Sequence, residues 1–93
     1  MNEHRSIRLL PWSGPDGRPC YLVGDGDGPV SRIADQIEAV QLDLAGQLLE
    51  RSQSMLGSSG VLGSELRVLA AHLSEALRDA LRIAESRGAN NVE

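Results

Sequence analysis

Residues 30–57 read VSRIADQIEAVQLDLAGQLLERSQSMLG, and the fold turns on this stretch. Ile33, Ile37, Val40, Leu44, Leu48 and Met55 follow at intervals of 4, 3, 4, 4 and 7 residues, a continuous apolar stripe of helical period. Ser31 stands where an N-cap is expected, and Gly57 and Gly60 supply a stop. At 1.5 Å per residue such a helix is about 40 Å long.

The same stretch carries a second apolar stripe. Ala34, Leu42, Ala45, Leu49 and Leu56 lie about a third of a turn from the first on a helical wheel. Asp35, Gln36, Gln41, Asp43 and Glu50 are squeezed into the remaining arc. One antiparallel partner helix covers one stripe. Leaving Leu42, Leu49 and Leu56 in water forgoes roughly 1.5–3 kcal/mol each. That sum rivals the whole stability of a domain this small, about 5 kcal/mol. The expected cover is a second protomer, two helical hairpins meeting as a four-helix bundle. The chain's own N-terminal segment and an obligate different partner are the alternatives.

Residues 64–88 supply the intramolecular partner helix, free of proline and glycine up to Gly88. Ser64 is its expected cap, and Leu66, Leu69, Leu73, Leu77, Ala80 and Ala84 form its stripe. Arg67, Glu75, Arg78, Asp79, Arg82 and Glu85 mark the solvated face, with opposite charges three residues apart. Residues 89–93 are expected to fray.

Residues 1–29 hold all four prolines and read as a β-hairpin followed by a loop. Strands are expected at Ser6–Leu10 and Cys20–Val23, joined by a long loop around Pro15-Asp16-Gly17. A two-stranded ribbon is marginal in water and must lean on the helices. The expected whole is one small α+β domain over 1–93, mainly α: a hairpin, then a long antiparallel helical hairpin.

Composition narrows the chemistry. The 93 residues carry 9 basic side chains, every one arginine, against 13 acidic ones, for a formal charge of -4. Without lysine, no P-loop lysine and no Schiff-base lysine exist. An acidic chain argues against nucleic acid, which is bound by clustered cations. The N-terminus lacks the apolar run of a signal peptide, and no segment is apolar enough to span a bilayer. The lone Cys20 fits a reducing cytoplasm.

Few residues suggest a site. Asp25 and Asp27 resemble the start of a calcium loop, but Val30 stands where glycine is needed and Gln36 where a bidentate glutamate belongs. His4, Cys20 and His72 share no metal-ligand or nucleophile–base spacing. No catalytic, cofactor or metal residue is therefore assigned. Trp12, one of two aromatics, is expected either to plug the ribbon onto the helices or to anchor a partner. Arg78 and Arg82 are candidates for a phosphate or carboxylate. The expected function is a non-enzymatic, cytoplasmic interaction module. It would be a regulatory or adaptor protein working as a homodimer, with Trp12, Leu42, Leu49, Leu56, Arg78 and Arg82 meeting partners. The alternatives are a DNA-associated regulator using the ribbon arginines and a small ligand-binding or enzyme accessory subunit.

Overall fold

A computed structural model describes residues 6–24 and 26–90 of the chain. The expectations placed on His4, Arg5, Asp25 and residues 91–93 lie outside the described residues. The protein is α+β and mainly helical: β1 (Ser6–Ser13), β2 (Pro19–Gly24), α1 (Pro29–Leu56) and α2 (Gly63–Asn90).

β1 and β2 form a two-stranded antiparallel ribbon with Ile7 opposite Val23 and Leu9 opposite Tyr21. The turn is tighter than the proline-rich sequence suggests. Gly17 N–H donates to the Gly14 carbonyl (3.0 Å), and Gly14 N–H donates to the Arg18 carbonyl (2.8 Å). Gly17 sits at φ 81°, a conformation that disfavours any residue with a Cβ. Strand pairing therefore reaches Ser13 and Pro19, beyond the expected ends at Leu10 and Cys20.

The sequence hid this extension because Pro11 lies inside β1. Proline has no N–H for the ladder and is tolerated in strands at edges and bulges. Here Leu10, Pro11 and Trp12 together oppose Cys20 alone, so β1 bulges. The bulge turns the Pro11 carbonyl toward the helices. It accepts from Arg82 Nη1 at 2.8 Å and from Gln41 Nε2 at 3.5 Å, joining three elements at one oxygen.

α1 begins earlier than expected. Gly28 is the N-cap and Pro29 opens the helix, where its missing N–H costs nothing. Ser31, expected as the cap, lies inside the first turn, and its hydroxyl instead accepts from Arg8 Nη1 at 2.7 Å. At α2 the cap comes from Glu65, whose Oε1 accepts the Leu62 N–H at 3.0 Å. Ser64 is one residue inside that helix. Gly88 does not end α2, which continues to Asn90.

The buried apolar core is small among the described residues: Leu9, Leu10, Ala34, Leu69 and Ile83. The molecule is a rod of 63 × 26 × 23 Å. Its radius of gyration is 17.0 Å, against about 12 Å for a compact globule of this length. Ile83, at 2 % exposure, is the most enclosed large side chain of that core. Ile83→Ala is expected to cost about 2–5 kcal/mol in urea unfolding. A loss under about half a kcal/mol would show that this end of α2 is not packed.

Candidate docking face

The direction in which α1 turns inward is set by polar contacts. Ser31, Ala34, Glu38 and Ser52 are its buried residues, with Gln41, Ala45, Leu48 and Met55 half-buried between and beyond them. These positions alternate by three and four residues along one seam. The seam runs between the two apolar stripes, so neither stripe faces inward as a whole. Of the stripe from Ile33 to Met55 only Ile37, Leu48 and Met55 are half-buried, so the expectation that one whole stripe is covered by the partner helix is not met. Ile33, Val40 and Leu44 are exposed along one margin of the seam, and Leu42, Leu49 and Leu56 along the other.

A partly buried ion cluster, with Arg8 and Glu38 enclosed and Asp35 exposed, fixes this orientation. The Arg8 guanidinium donates to the Ser31 hydroxyl (2.7 Å) and carbonyl (3.1 Å), and to Asp35 Oδ1 (2.7 Å). Its Nη2 also lies 3.3 Å from Glu38 Oε1, on a carboxylate whose side chain is only 6 % exposed. Burial acts to lower the Arg8 pKa, but hydrogen bonds and charge from Asp35 and Glu38 outweigh it, and the pKa is raised. Arg8 therefore serves as a structural cation. Of the other ribbon arginines, Arg18 pairs with Asp16 at 3.1 Å on the turn.

The two helices define two broad sides of the rod. On one side a groove of about 390 Å³ runs between Leu44, Gln47 and Arg51 of α1 and His72, Glu75 and Asp79 of α2. Gln41 also lines it, and its Oε1 is buried without a hydrogen-bond partner. Among the described residues, no cluster of His, Cys, Asp and Glu is placed to hold a metal ion.

Helical geometry assigns the opposite side. On α1 it takes the margin across the seam from Leu44, which is Leu42, Leu49 and Leu56, spaced seven residues apart. On α2 it takes the margin across the seam from Glu75, which is Leu66, Ala70, Leu77, Leu81 and Ala84. The large side chains there are solvent-exposed, from 39 % at Leu42 through 61 % at Leu77 to 80 % at Leu56. Between these two rows the helices contribute Ala45, Ser52 and Leu73, so the strip carries no charge from Leu42 to Leu56 of α1. Arg67 and Glu85 stand at its rim. Helical period alone signals the α1 row. Leu81 and Ala70 become part of the face only once the α2 seam is known.

The remaining candidates are dispersed. Trp12 is half-buried in the β1 bulge. Arg82 is half-buried and engaged with Pro11, whereas Arg78 is exposed one turn earlier. Both arginines line a crevice of about 300 Å³ under the ribbon, together with Leu9, Tyr21, Leu81 and Glu85. Cys20 is a half-buried free thiol on β2, and His72 is exposed. No helix among the described residues is long and apolar enough to cross a membrane. No family model matches the chain, and neither a curated protein nor a solved structure is significantly similar to it.

The ion cluster makes a sharp prediction for the seam. Arg8→Met removes the cation and leaves Glu38 buried beside Ser31. The expected loss is about 3–5 kcal/mol, because an uncompensated buried charge remains. The double variant Arg8→Met/Glu38→Leu is expected to recover most of it. Equilibrium denaturation of both variants checks the pair, and equal losses would show that Glu38 does not depend on Arg8.

Proposed function

We propose that the protein is a non-enzymatic interaction module that works as a homodimer, its helical hairpins meeting through the charge-free strip as a four-helix bundle. The observation that carries this reading is the strip itself. Leu42, Leu49 and Leu56 of α1 and Leu66, Leu77 and Leu81 of α2 are large, exposed and on one side. Contiguous apolar surface of this extent marks an interaction site on a protein that stays in solution.

The surface area supports a copy of the same chain as the occupant. The chain exposes 6928 Å², whereas a compact monomer of 10.0 kDa exposes about 5,200 Å². The excess of about 1,700 Å² goes with the rod shape, which leaves a long side on which a second copy can pack. The seven-residue spacing of Leu42, Leu49 and Leu56 is the repeat that packs helix against helix. An isologous contact uses the same strip on both copies and so covers each completely.

In this reading the protein is a small regulatory or adaptor component of the cytoplasm. Dimerisation leaves outward the groove side, the Trp12 bulge and the Arg78–Arg82 rim, and these surfaces meet a second protein. Leu42, Leu49 and Leu56 form the dimer core.

Sedimentation equilibrium at micromolar concentration is expected to give twice the chain mass of 10.0 kDa. Leu77 is exposed in the single chain, so Leu77→Glu leaves its fold intact. A charge at the centre of a buried interface with no partner is expected to weaken association by about a hundredfold or more. The variant should therefore sediment at the mass of one chain with its helical circular dichroism retained. A wild-type protein of single-chain mass, or a Leu77→Glu variant that still dimerises, would overturn the reading.

A further inference from the structure

The groove between α1 and α2 lies across the seam from the leucine strip and holds charges that the fold does not use. Its residues can be placed level by level. Gln41 and Arg82 reach the same Pro11 carbonyl, so they stand at one height along the rod. The helices are joined by residues 57–62 and run antiparallel from that mark. Asp79, three residues from Arg82, therefore stands level with Leu44, three residues from Gln41. By the same count Glu75 is level with Leu48, and His72 with Arg51. All of these residues line the groove, which spans about 15 Å of helix between Gln41 and Arg51.

Two deficits mark this groove as built for a ligand. Asp79, Glu75 and Arg51 make no ion pair or side-chain hydrogen bond among the described residues. The second deficit is the Gln41 amide, whose enclosed Oε1 lacks a donor. Its Nε2 reaches Pro11 only at 3.5 Å, and that carbonyl is already satisfied by Arg82 at 2.8 Å. The terminal torsion of a glutamine is broad, so a turn of the amide offers Oε1 to a donor in the groove.

We propose that the groove binds a free α-amino acid with a cationic side chain, arginine fitting it best. The guanidinium lies between Asp79 and Gln41, with N–H donors for both the carboxylate and the orphaned Oε1. Its aliphatic stem runs along Leu44 and Leu48. The α-ammonium meets Glu75, and the α-carboxylate meets Arg51 and the imidazole N–H of His72. Along the groove the protein's charges run minus, minus, plus, and the ligand's run plus, plus, minus. Asp79 and Glu75 are separated by about 6 Å of helix, a span that the extended stem of arginine bridges. A volume of about 390 Å³ suits a small molecule. Arg51, His72 and Glu75 are solvent-exposed, so the affinity is modest. The inference does not rest on the dimer, because the strip and the groove are on opposite sides.

Titration of the isotope-labelled full chain, followed by NMR, tests the assignment. L-arginine is expected to shift the Gln41 side-chain amide and the Leu44 and Leu48 backbone saturably, with a Kd on the order of 1 mM for a ligand of this size. Three analogues each lack one group: L-norvaline the guanidinium, agmatine the α-carboxylate and N-α-acetyl-L-arginine the α-ammonium. Each is expected to bind about tenfold or more weakly than L-arginine, as are Asp79→Asn and Glu75→Gln with L-arginine itself. Circular dichroism confirms that both variants are folded. Glu85→Gln removes the same charge outside the groove and is expected to bind like wild type. Leu77→Glu is expected to bind L-arginine unchanged, so the groove and the dimer stand or fall separately. No saturable shift by about 20 mM, twenty times that Kd, would overturn the proposal. So would agmatine matching L-arginine, or Glu85→Gln costing as much as Asp79→Asn.

Discussion

Arg8 is where the ribbon and the first helix become one structure. A two-stranded ribbon has too little apolar area to stand in water, and Ile7, Tyr21 and Val23 face solvent on this one. What holds it is directional. The guanidinium engages the Ser31 hydroxyl and carbonyl, Asp35 and Glu38 within two turns of α1. The bulge then brings the Pro11 carbonyl against Gln41 and Arg82. A buried pair of this kind adds little net stability over apolar packing, yet it is costly to break and fixes one arrangement. Here it fixes the rotation of α1 about its own axis.

That rotation has a consequence for everything outside. Because Ser31, Glu38 and Gln41 must face the ribbon, the seam of α1 falls between two rows of aliphatic side chains and exposes both. The α1 seam holds small and polar residues such as Ala34, Ala45 and Ser52 beside half-buried Leu48 and Met55, and Leu42, Leu49 and Leu56 flank it. The result is an elongated molecule with a thin core and a charge-free side. The same geometry gives the other side a mixed character, with Arg51, His72, Glu75 and Asp79 around a groove.

The number, order and type of the elements were legible in the sequence. Apolar residues at helical spacing marked both helices, and Pro15-Asp16-Gly17 marked the turn, because these signals act over a few residues. Local competition moved the ends. Gly28 with Pro29 took the start of α1 from Ser31, and Glu65 capped α2 in place of Ser64. The extension of β1 through Pro11 was hidden, since a proline within a strand reads as a terminator unless a bulge accommodates it. The α1 half of the candidate face was visible as an excess of leucine. Its α2 half was not, because Leu66 and Leu77 read as core and Leu81 fell outside the stripe.

By itself the sequence determined that α1 carries more apolar surface than one neighbouring helix can bury. It did not determine which part of that surface turns inward. Hydrophobic burial is non-directional and roughly proportional to area, so an apolar arc wider than half a turn has no preferred inward direction. The choice was made by contacts between residues far apart in the chain, Arg8 with Ser31 and Glu38, and Pro11 with Gln41 and Arg82. Hydrogen bonds and ion pairs depend on distance and angle, and those exist only after the ribbon has docked. The tertiary structure therefore decided the orientation of α1, and with it which rows of aliphatic side chains stay exposed.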